Sequence, residues 1–198
     1  MIGGVVLAAG EGRRFGGAKQ LAELDGRPLL EHALNAMLAV PAIDRVVLVL
    51  GAGADEIRSA VDLEGIDVVV CPDWREGISA SLRRGVTELA DAEAVVITLG
   101  DQPLITPQVI AAILDRIDSP AIAARATYGG APGHPVLIKR ELFGRVVELR
   151  GDAGARDLLA GAGVLEVECG HLSRPDDVDT VADLEAVRRC LRYSGASE

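Results

Sequence analysis

The 198-residue chain carries 20 Lys and Arg against 30 Asp and Glu, so its formal net charge is −10 at pH 7. A surface this acidic repels nucleic acid and anionic lipid, so neither is expected as a partner. Hydrophobic residues make up 49% of the chain, which is typical of a globular protein, whereas the aromatic fraction of 3% disfavours a surface that stacks on nucleobases. We expect a core built from aliphatic side chains.

The cysteines and the apolar runs indicate the compartment. Cys71, Cys169 and Cys190 lie far apart, with neither the paired spacing of a zinc site nor the even number of a disulfide framework. No apolar run approaches the roughly 18 residues of a membrane-spanning helix. The apolar residues at the N-terminus lack the positive charge of a signal peptide. These features predict a cytoplasmic protein with no membrane contact.

Buried runs alternate with amphipathic stretches from the first residues onward. Strands are predicted at residues 5–7, 46–50, 68–70 and 95–99, and helices at 28–38, 55–61, 79–89 and 107–117. The strands lack polar alternation, as expected when both faces of a sheet are covered. This order predicts a Rossmann-like, three-layer α/β/α fold with a mostly parallel central sheet.

The pattern loosens after residue 120. Strands are predicted at 121–126, 136–138 and 164–167, and helices at 140–149, 155–160 and 181–192, with the Gly- and Pro-rich segment 128–135 as a loop. Thr106 and Thr180 are predicted N-caps, and Pro28 and Pro107 suit first helical turns. We expect a single domain over residues 1–192 and a flexible tail over 193–198.

A glycine-rich loop follows the first predicted strand, with the sequence L-A-A-G-E-G-R-R-F-G-G-A-K from Leu7 to Lys19. Glycines let backbone N–H groups approach phosphate oxygens closely, and Arg13 and Lys19 add positive charge. The dinucleotide fingerprint does not fit, because its third glycine comes one residue late, at Gly16. A P-loop does not fit either, because Gln20 follows Lys19. A solvated turn is the alternative to a phosphate site.

Asp101 follows the fourth predicted strand within the segment G-D-Q-P. Ligands of open α/β sheets bind beyond the carboxyl ends of the strands, so this carboxylate is well placed to hold Mg²⁺ against a polyphosphate. The alternative is an Asp that only closes a turn. A triphosphate requires both basic donors and a metal ligand, so the two loops together favour a nucleotide site.

With these two segments, the chain resembles the molybdenum cofactor cytidylyltransferases, within the nucleotidyltransferase (GT-A-like) family of molybdenum cofactor biosynthesis. The resemblance covers nearly the whole chain. It rests on residues 7–19, D-W-R-E-G-I-S-A-S-L at 73–82, G-D-Q-P at 100–103, G-H-P-V at 133–136, G-D-A-G-A-R at 151–156 and D-V-D-T at 177–180. The resemblance implies the nucleotidyltransferase version of the predicted fold.

The resemblance also implies roles for individual residues. The nucleotide-binding set is Leu7, Ala8, Ala9, Gly10, Gly12, Arg13, Lys19, Ser79, Ser81 and Asp101, of which Arg13, Lys19 and Asp101 are the catalytic residues. Mg²⁺ is the implied cofactor, held by Asp101 and by an acidic residue of 177–179, with Asp179 preferred. The acceptor-binding set is Gly133, His134, Pro135, Asp152 and Arg156.

The implied reaction transfers CMP from CTP to the terminal phosphate of molybdopterin. Relatives that use GTP carry glycine at the position of Ala9, so this alanine resembles the CTP branch. A client molybdoenzyme or its maturation chaperone is the implied protein partner. Three alternatives stay open: a related transferase that uses GTP, one that acts on a sugar phosphate or another small phosphorylated acceptor, and a non-catalytic nucleotide- or cofactor-binding chaperone. The late glycine disfavours a nicotinamide dehydrogenase.

Several of these residues also have purely structural interpretations. Ser79 could cap its helix, His134 could be a buried turn residue, and Arg156 could pair with Asp152 across one helical turn. Trp74 is predicted to be a packing residue rather than a stacking platform. Arg83 is predicted to lie on a solvated helix face, with a phosphate clamp as the alternative.

Overall fold

The structure is a computed structural model that describes residues 1–194, with the side chains of residues 1–192. The strands are β1 (Ile2–Ala8), β2 (Glu23–Leu24), β3 (Arg27–Pro28), β4 (Arg45–Leu50), β5 (Ile66–Val70), β6 (Ala94–Leu99), β7 (Ala123–Tyr128), β8 (Ala131–Lys139) and β9 (Val164–Glu168). The α-helices are α1 (Leu29–Leu38), α2 (Ala54–Ala60), α3 (Ile78–Glu88), α4 (Pro107–Leu114), α5 (Phe143–Glu148), α6 (Ala155–Leu159) and α7 (Val181–Ser194). Short 3₁₀ helices span Lys19–Leu21, Trp74–Glu76 and Arg140–Leu142.

Seven strands form one central sheet in the order β5-β4-β1-β6-β8-β7-β9. The strand β1 pairs in parallel with both β4 and β6, and β7 pairs in parallel with β9. Only β8 reverses the direction, because it runs antiparallel between β6 and β7. The predicted mostly parallel sheet is therefore confirmed. The strands that follow β1 are added first on one side of it, as β4 and β5, and then on the other side, as β6. The carboxyl ends of β1 and β6 therefore form a topological switch point.

Helices cover both faces of the sheet and enclose two separate aliphatic cores. On one face Met37 of α1 and Ile110 of α4 are fully buried against the sheet. On the other face Leu82 of α3 and Val146 of α5 are almost completely buried. Burial of one such side chain stabilises the fold by about 1.5–3 kcal/mol. The three layers predicted from the alternating pattern are confirmed.

A third, smaller core lies beside the carboxyl end of the sheet. It consists of Leu24, Leu29, Val178, Leu184 and Val187. It packs α7 against the start of α1 and the β2–β3 hairpin. The buried side chain of Val178 belongs to this core, and its backbone N–H donates to the carbonyl oxygen of Asp101 at 2.9 Å. The segment before α7 is thereby held against the end of β6.

Two local predictions are wrong, and one hairpin was not predicted. The predicted loop 128–135 is a β-hairpin, because Gly129 and Gly130 adopt φ of 59° and 81° and allow a tight turn that starts β8 at Ala131. The predicted helix 140–149 is shortened to α5 after a 3₁₀ turn. The β2–β3 hairpin was not predicted, although its turn is an Asp-Gly pair, Asp25 and Gly26, with positive φ at both residues.

The helix ends follow the predictions in most places. Thr180 caps α7 reciprocally with Asp183: the Thr180 hydroxyl accepts from the Asp183 N–H at 3.2 Å, and the Thr180 N–H donates to the Asp183 carboxylate at 2.7 Å. Thr106 lies at the N-cap of α4 with Pro107 as the first helical residue. Pro28 immediately precedes α1 rather than lying inside it.

The C-terminal boundary extends slightly beyond the prediction. Helix α7 continues to Ser194, so the helix includes the first two residues of the predicted tail. The rest of that tail, residues 195–198, lies outside the described residues. Within residues 1–194, no helix combines the length and the hydropathy needed to cross a membrane.

Candidate functional site

A cavity of about 640 Å³ opens at the carboxyl ends of β1 and β6. Its size lies within the usual range of about 300–1,000 Å³ for small-molecule sites. The lining residues come from the glycine-rich loop, the 3₁₀ turn before α3, the start of α3 and the loop after β6. They are Leu7, Ala8, Ala9, Gly10, Glu11, Gly12, Arg13, Lys19, Gln20, Trp74, Arg75, Gly77, Ile78, Ser81, Leu99, Gly100, Asp101 and Asp152. The cavity therefore lies at the topological switch point of the sheet.

The glycine-rich loop is held in shape by its own backbone and by Gln20. Gly12 has φ of 67°, and a Cβ atom there would lie 2.2 Å from the carbonyl oxygen of Gly17. The side-chain amide of Gln20 donates to the carbonyl oxygens of Ala8 and Gly10, at 3.0 and 2.9 Å. At Gly10 a Cβ would meet nothing within 4 Å, so backbone there faces open space. Sequence reasoning missed Gln20, since no motif marks a side chain that braces its own loop.

Lys19 lies between two carboxylates at the base of the cavity. Its Nζ donates to Asp101 Oδ2 and to Asp179 Oδ1, each at 2.7 Å. The Lys19 side chain is only 11% exposed, whereas those of Asp101 and Asp179 are 23% and 32% exposed. The structure thus brings together three residues that the sequence predicts for one site, although 160 positions separate Lys19 from Asp179.

The surroundings of Lys19 keep its ammonium group charged. Burial alone would lower the pKa of Lys19, but the charges and hydrogen bonds of Asp101 and Asp179 outweigh it, so the pKa lies above its ordinary value. A buried cation of this kind interacts strongly with nearby anions, because little water screens it. Lys19 and its two carboxylates together carry a net charge of −1, so a phosphate bound here would need a further cation beside it.

Two arginines of the same loop occupy its outer rim. Arg13 lines the cavity with a side chain that is 79% exposed, and its Nε donates to Glu11 Oε2 at 2.7 Å. Arg14 contacts the segment that precedes α7, where its Nη2 lies 2.7 Å from Asp179 Oδ2. Arg14 was not predicted as a site residue, although its place in a basic loop is a signal that could have nominated it.

The structure separates the two acidic candidates that precede α7. Asp179 contacts Lys19, whereas Asp177 Oδ1 accepts from the side-chain amide of Gln102 at 2.8 Å. Burial raises the pKa of Asp177, and the hydrogen bond from Gln102 acts in the opposite direction. Between them Val178 is buried in the third core, so the two carboxylates point to different partners. Asp179 is the one that reaches Lys19, which lines the cavity.

The start of α3 forms the opposite wall. Gly77 and Ser81 line the cavity, but Ser79 does not: it is fully buried, and its hydroxyl accepts from Arg83 Nη1 at 3.1 Å. The alternative in which Ser79 caps α3 is wrong, because the helix begins at Ile78 after Gly77. A nucleotide contact by Ser79 stays a prediction. Trp74 lines the cavity and also packs on the second core, which confirms its packing role.

Of the five predicted acceptor residues, only Asp152 is among the residues that line this cavity. Asp152 lines it, next to Gly77, while Arg156 is exposed and does not line it. Among the described residues no ion pair joins Arg156 to Asp152. Instead Asp157 caps the start of α6, where its carboxylate accepts from the Gly154 N–H at 3.0 Å. The alternative in which Arg156 pairs with Asp152 is therefore wrong.

The remaining acceptor residues, Gly133, His134 and Pro135, lie on β8 and do not line the cavity. The carbonyl oxygen of His134 accepts from the Tyr128 hydroxyl at 2.7 Å. Burial lowers the pKa of His134 to about 4, and the negative charge of Asp101 acts in the opposite direction. The imidazole is therefore neutral at pH 7 and lies within electrostatic reach of Asp101.

Glu168, at the end of β9, holds the tip of the β7–β8 hairpin. Its carboxylate accepts from the N–H groups of Gly129, Gly130 and Gly170, at 2.9, 3.2 and 3.0 Å, and from the Thr127 hydroxyl at 3.0 Å. These hydrogen bonds, that of Gly129 first, lower the pKa of Glu168 to about 2. The hairpin that carries His134 is thus tied to the neighbouring strand.

The residues at the base of the cavity have the chemistry of a divalent-cation site. Asp101 Oδ1 is buried with no hydrogen-bond partner, so one carboxylate oxygen has its coordinating capacity unused. Mg²⁺ usually binds to one or two carboxylates and completes its shell with water and substrate phosphates. No group of three or more His, Cys, Asp or Glu in residues 1–194 could hold a metal by itself. Asp101 therefore fits a cation that shares its ligands with a bound polyphosphate, whereas both oxygens of Asp179 already pair with Lys19 and Arg14.

A mostly parallel sheet with a glycine-rich loop and an acidic residue at its switch point defines a nucleotide-binding α/β enzyme. The sequence specifies the family. Residues 4–168 match the family described as the MobA-like NTP transferase domain, and the chain belongs to this family of nucleotidyltransferases.

The names of two relatives indicate different activities. "Nicotine blue oxidoreductase" of Paenarthrobacter nicotinovorans is 33% identical over 200 residues, which cover 92% of this chain and 94% of that protein. "Probable molybdenum cofactor guanylyltransferase" of Thermococcus kodakarensis is 35% identical over 131 residues, which cover 64% of this chain and 60% of that protein.

Solved structures extend the similarity to the whole fold. The crystal structure of the homologue of Mycobacterium tuberculosis Rv0371c from Mycobacterium sp. strain JC1 has a TM-score of 0.85 and 34% identity, with 97% of each chain covered. The structure of Rv0371c from M. tuberculosis H37Rv in complex with manganese has a TM-score of 0.82 and 31% identity, with 95% of this chain and 98% of that chain covered. The predicted nucleotidyltransferase fold is confirmed.

Proposed function

We propose that this chain is a Mg²⁺-dependent cytidylyltransferase that transfers CMP from CTP to the terminal phosphate of molybdopterin. The observation that carries the proposal is the buried Lys19 held between Asp101 and Asp179 beside an open glycine-rich backbone. A triphosphate brings several negative charges, and this arrangement offers a cation, backbone donors and metal ligands at one place. Membership of the NTP transferase family supports the same class of reaction.

The choice of CTP rests on Ala9. Ala9 is 6% exposed and lines the cavity at the end of β1, so a base bound beside the loop would lie near its methyl group. Relatives that use GTP carry glycine at this position in the family that the chain resembles. We therefore expect Ala9→Gly to reduce the preference for CTP over GTP by about tenfold, which corresponds to about 1.4 kcal/mol. Unchanged base selectivity in this variant would refute the role of Ala9.

The choice of a molybdopterin acceptor rests on Asp152 and on the named relatives. Asp152 brings the G-D-A-G-A-R segment to the cavity wall opposite the glycine-rich loop. The relative from T. kodakarensis carries the name of a molybdenum cofactor guanylyltransferase, which fits an acceptor of this kind. The neutral His134 near Asp101 and its neighbours Gly133 and Pro135 are proposed to contact the acceptor from the hairpin side.

The proposed reaction needs no general base. The terminal phosphate of the acceptor is ionised at neutral pH, and its oxygen attacks the α-phosphorus of CTP while the bond to the β-phosphate oxygen breaks and pyrophosphate leaves. Lys19 and Arg13 orient the triphosphate and neutralise charge that develops on the leaving group. When bound, Mg²⁺ supplies further charge neutralisation, with Asp101 and Asp179 as its protein ligands. Backbone N–H groups from Leu7 to Gly12 hold the phosphates in place.

The setting of the reaction is also part of the proposal. A cytoplasmic location fits the supply of CTP and the buried thiols of Cys71 and Cys169, which form no disulfide. A client molybdoenzyme or its maturation chaperone would receive the dinucleotide product. The net charge of −10 opposes nucleic acid and membrane partners.

The deciding experiment incubates the protein with Mo-molybdopterin, Mg²⁺ and either CTP or GTP, and identifies the dinucleotide formed. Pyrophosphate release with CTP and formation of molybdopterin cytosine dinucleotide would support the proposal. A sugar phosphate acceptor in the same panel tests the nearest rival transferase activity. Binding of CTP without turnover on the authentic acceptor would instead favour a nucleotide-binding chaperone.

Asp101→Asn tests the metal assignment within the same assay. Loss of one group that stabilises transition-state charge costs about 10²–10³ in kcat, so a comparable loss of pyrophosphate release is expected. Asp115→Asn is the matched control, because Asp115 is an exposed carboxylate at the end of α4. Wild-type, Mg²⁺-dependent turnover in Asp101→Asn would overturn the assignment.

A second candidate function is suggested by one name among the relatives. The P. nicotinovorans relative is named an oxidoreductase, and it matches this chain over almost its full length. A hydride-transfer role requires a bound redox partner such as NADH or NADPH. Fluorescence titration of both nucleotides decides this case: saturable binding, together with reduction of a quinone-type or nicotine-derived dye as NADH or NADPH is oxidised, would favour the oxidoreductase. Absence of binding would leave nucleotidyl transfer as the function.

A further inference from the structure

Arg83 takes no part in the chemistry above, yet its guanidinium joins two separate stretches of the chain. Its Nη1 donates to the Ser79 hydroxyl at 3.1 Å and to the carbonyl oxygen of Leu149 at 2.5 Å. Its Nη2 donates to Glu76 Oε2 at 3.0 Å. Glu76 and Ser79 flank the start of α3, whereas Leu149 follows α5. The side chain is only 21% exposed, which contradicts the predicted solvated helix face.

The two stretches joined by Arg83 also contact each other directly. The Ser79 N–H donates to the carbonyl oxygen of Gly151 at 3.2 Å. A Cβ atom at Gly77, which has φ of 113°, would lie 2.4 Å from the Gly151 carbonyl oxygen and 2.6 Å from Asp152 Oδ1. Gly77 and Asp152 both line the cavity. Residues 74–81 and 149–152 therefore form one continuous wall, and Arg83 braces that wall from behind.

Arg83 does not line the cavity, so it acts through the residues that it holds. A guanidinium is a rigid fork with five donors, which can satisfy three acceptors at fixed relative positions. A lysine at the same place has a single ammonium nitrogen on a flexible stem and cannot span the same acceptors with the same geometry. The contacts of Arg83 thus depend on the shape of its head group and not only on its charge.

We infer that Arg83 is a positioning residue that sets the distance between the 74–81 stretch and the 149–152 stretch. On the proposed function, which this inference deepens, the first stretch contacts the nucleotide and the second contacts the acceptor. Arg83 would therefore control how the two substrates are placed relative to each other. The phosphate-clamp alternative differs, because a clamp would act on the nucleotide alone.

Arg84 provides a matched control on the same helix. It is the next residue of α3, and its Nη2 pairs with Glu88 Oε2 at 3.4 Å, one helical turn away. Its side chain is 41% exposed, and its ion pair stays within α3. Arg84→Ala therefore removes the same charge from the same helix and leaves the brace intact.

The first measurement does not depend on the proposed function. The sequence contains a single tryptophan, Trp74, which lies in the stretch anchored by Glu76 and Arg83. In Arg83→Ala we expect the Trp74 emission to shift to longer wavelength and its quenching by acrylamide to increase by about twofold, as the stretch loosens. Arg84→Ala should match the wild type. Identical spectra and quenching in the two variants would overturn the inference.

The second measurement uses the transferase assay. In Arg83→Ala we expect the KM values for the nucleotide and for the acceptor to rise together by about tenfold, since small misplacements of positioned substrates are costly. Arg83→Lys should recover less than half of this loss. An increase confined to the nucleotide KM, with full recovery in Arg83→Lys, would show a phosphate clamp and overturn the inference.

A second variant and a measurement independent of activity separate the role of Arg83 from misfolding and from failure of the proposed function. If Arg83→Ala fails to fold, Glu76→Ala removes one of the braced contacts at a side chain that is 56% exposed, and the same Trp74 and KM effects are expected at smaller size. If the wild type shows no transfer with any acceptor, the proposed function fails while the Trp74 comparison still decides the role of Arg83. A wild-type response in both Glu76→Ala and Arg83→Lys would overturn the inference.

Discussion

Replacement of Lys19 by methionine leaves two carboxylates facing each other at the base of the cavity. Methionine keeps the approximate length and the apolar stem of lysine but removes its charge. Asp101 Oδ2 and Asp179 Oδ1 each lie 2.7 Å from the Lys19 nitrogen, so they are less than twice that distance apart. Without the ammonium group, nothing between them offsets their mutual repulsion.

The size of the effect follows from this geometry. Two unit charges about 5 Å apart repel by about 3 kcal/mol at an effective dielectric constant of about 20. Solvent reaches both carboxylates and Arg14 remains on Asp179, so we expect about 1–2 kcal/mol of this as lost stability. A chain of this length changes its Tm by about 2–4 °C per kcal/mol, which predicts a decrease of about 2–8 °C.

Thermal unfolding with and without divalent cations measures this prediction. In EDTA, Lys19→Met should unfold at a lower temperature than the wild type. Millimolar Mg²⁺ or Mn²⁺ should raise the Tm of Lys19→Met more than that of the wild type, because the cation replaces the missing positive charge. Lys139→Met is the control, since Lys139 donates to the carbonyl oxygen of Ser119 and forms no ion pair with a carboxylate of the described residues.

The reasoning would be refuted by Lys19→Met protein whose Tm responds to the cations no more than the wild type does. That result would mean that Asp101 and Asp179 do not repel each other when Lys19 is absent, or do not bind the cation. A stronger cation response in Lys139→Met than in Lys19→Met would contradict the same reasoning.

Two further predictions concern backbone and acid stability. Gly12→Ala should lower the free energy of unfolding by about 1–2 kcal/mol in chemical denaturation, because the φ of 67° at Gly12 is left-handed. Gly10→Ala should leave the free energy of unfolding unchanged but weaken CTP binding measured by calorimetry. Equal stability of the two variants would contradict this prediction. The pKa of Glu168 is lowered to about 2, so its carboxylate stabilises the fold above the unfolded pKa of about 4.3, and this contribution is lost as the pH falls toward 2. The Tm difference between wild type and Glu168→Gln should therefore be largest above pH 5 and shrink in acid, whereas Glu141→Gln, at an exposed position, should show no such trend.

Much of the fold is determined by local sequence patterns. Continuous Val- and Leu-rich runs of three to five residues predict strands of a parallel sheet covered on both faces. The intervening amphipathic stretches predict the covering helices. Their boundaries agree with the structure to within a few residues for β4, β6, α1 and α3. The pattern failed at the β7–β8 hairpin, because its glycines and prolines are typical of both a loop and a tight turn.

Part of the candidate site could also be predicted from short sequence segments. The glycine-rich loop with Lys19 and the segment with Asp101 each follow a buried strand, and the carboxyl ends of such strands meet at one edge of the sheet. The nucleotide site could therefore be nominated before any contact was known. Gln20 and Arg14 could not be, because bracing a loop or reaching a distant carboxylate leaves no periodic signal in the sequence.

Only the tertiary structure decided between residues that look alike along the chain. Asp177 and Asp179 are equivalent as sequence, but burial of Val178 in the third core turns Asp179 toward Lys19 and Asp177 toward Gln102. Arg83 and Arg84 are equally basic neighbours, yet their different directions from α3 make one a brace and the other a surface residue. Side-chain direction depends on packing between elements distant in sequence, and that information is absent from any local pattern.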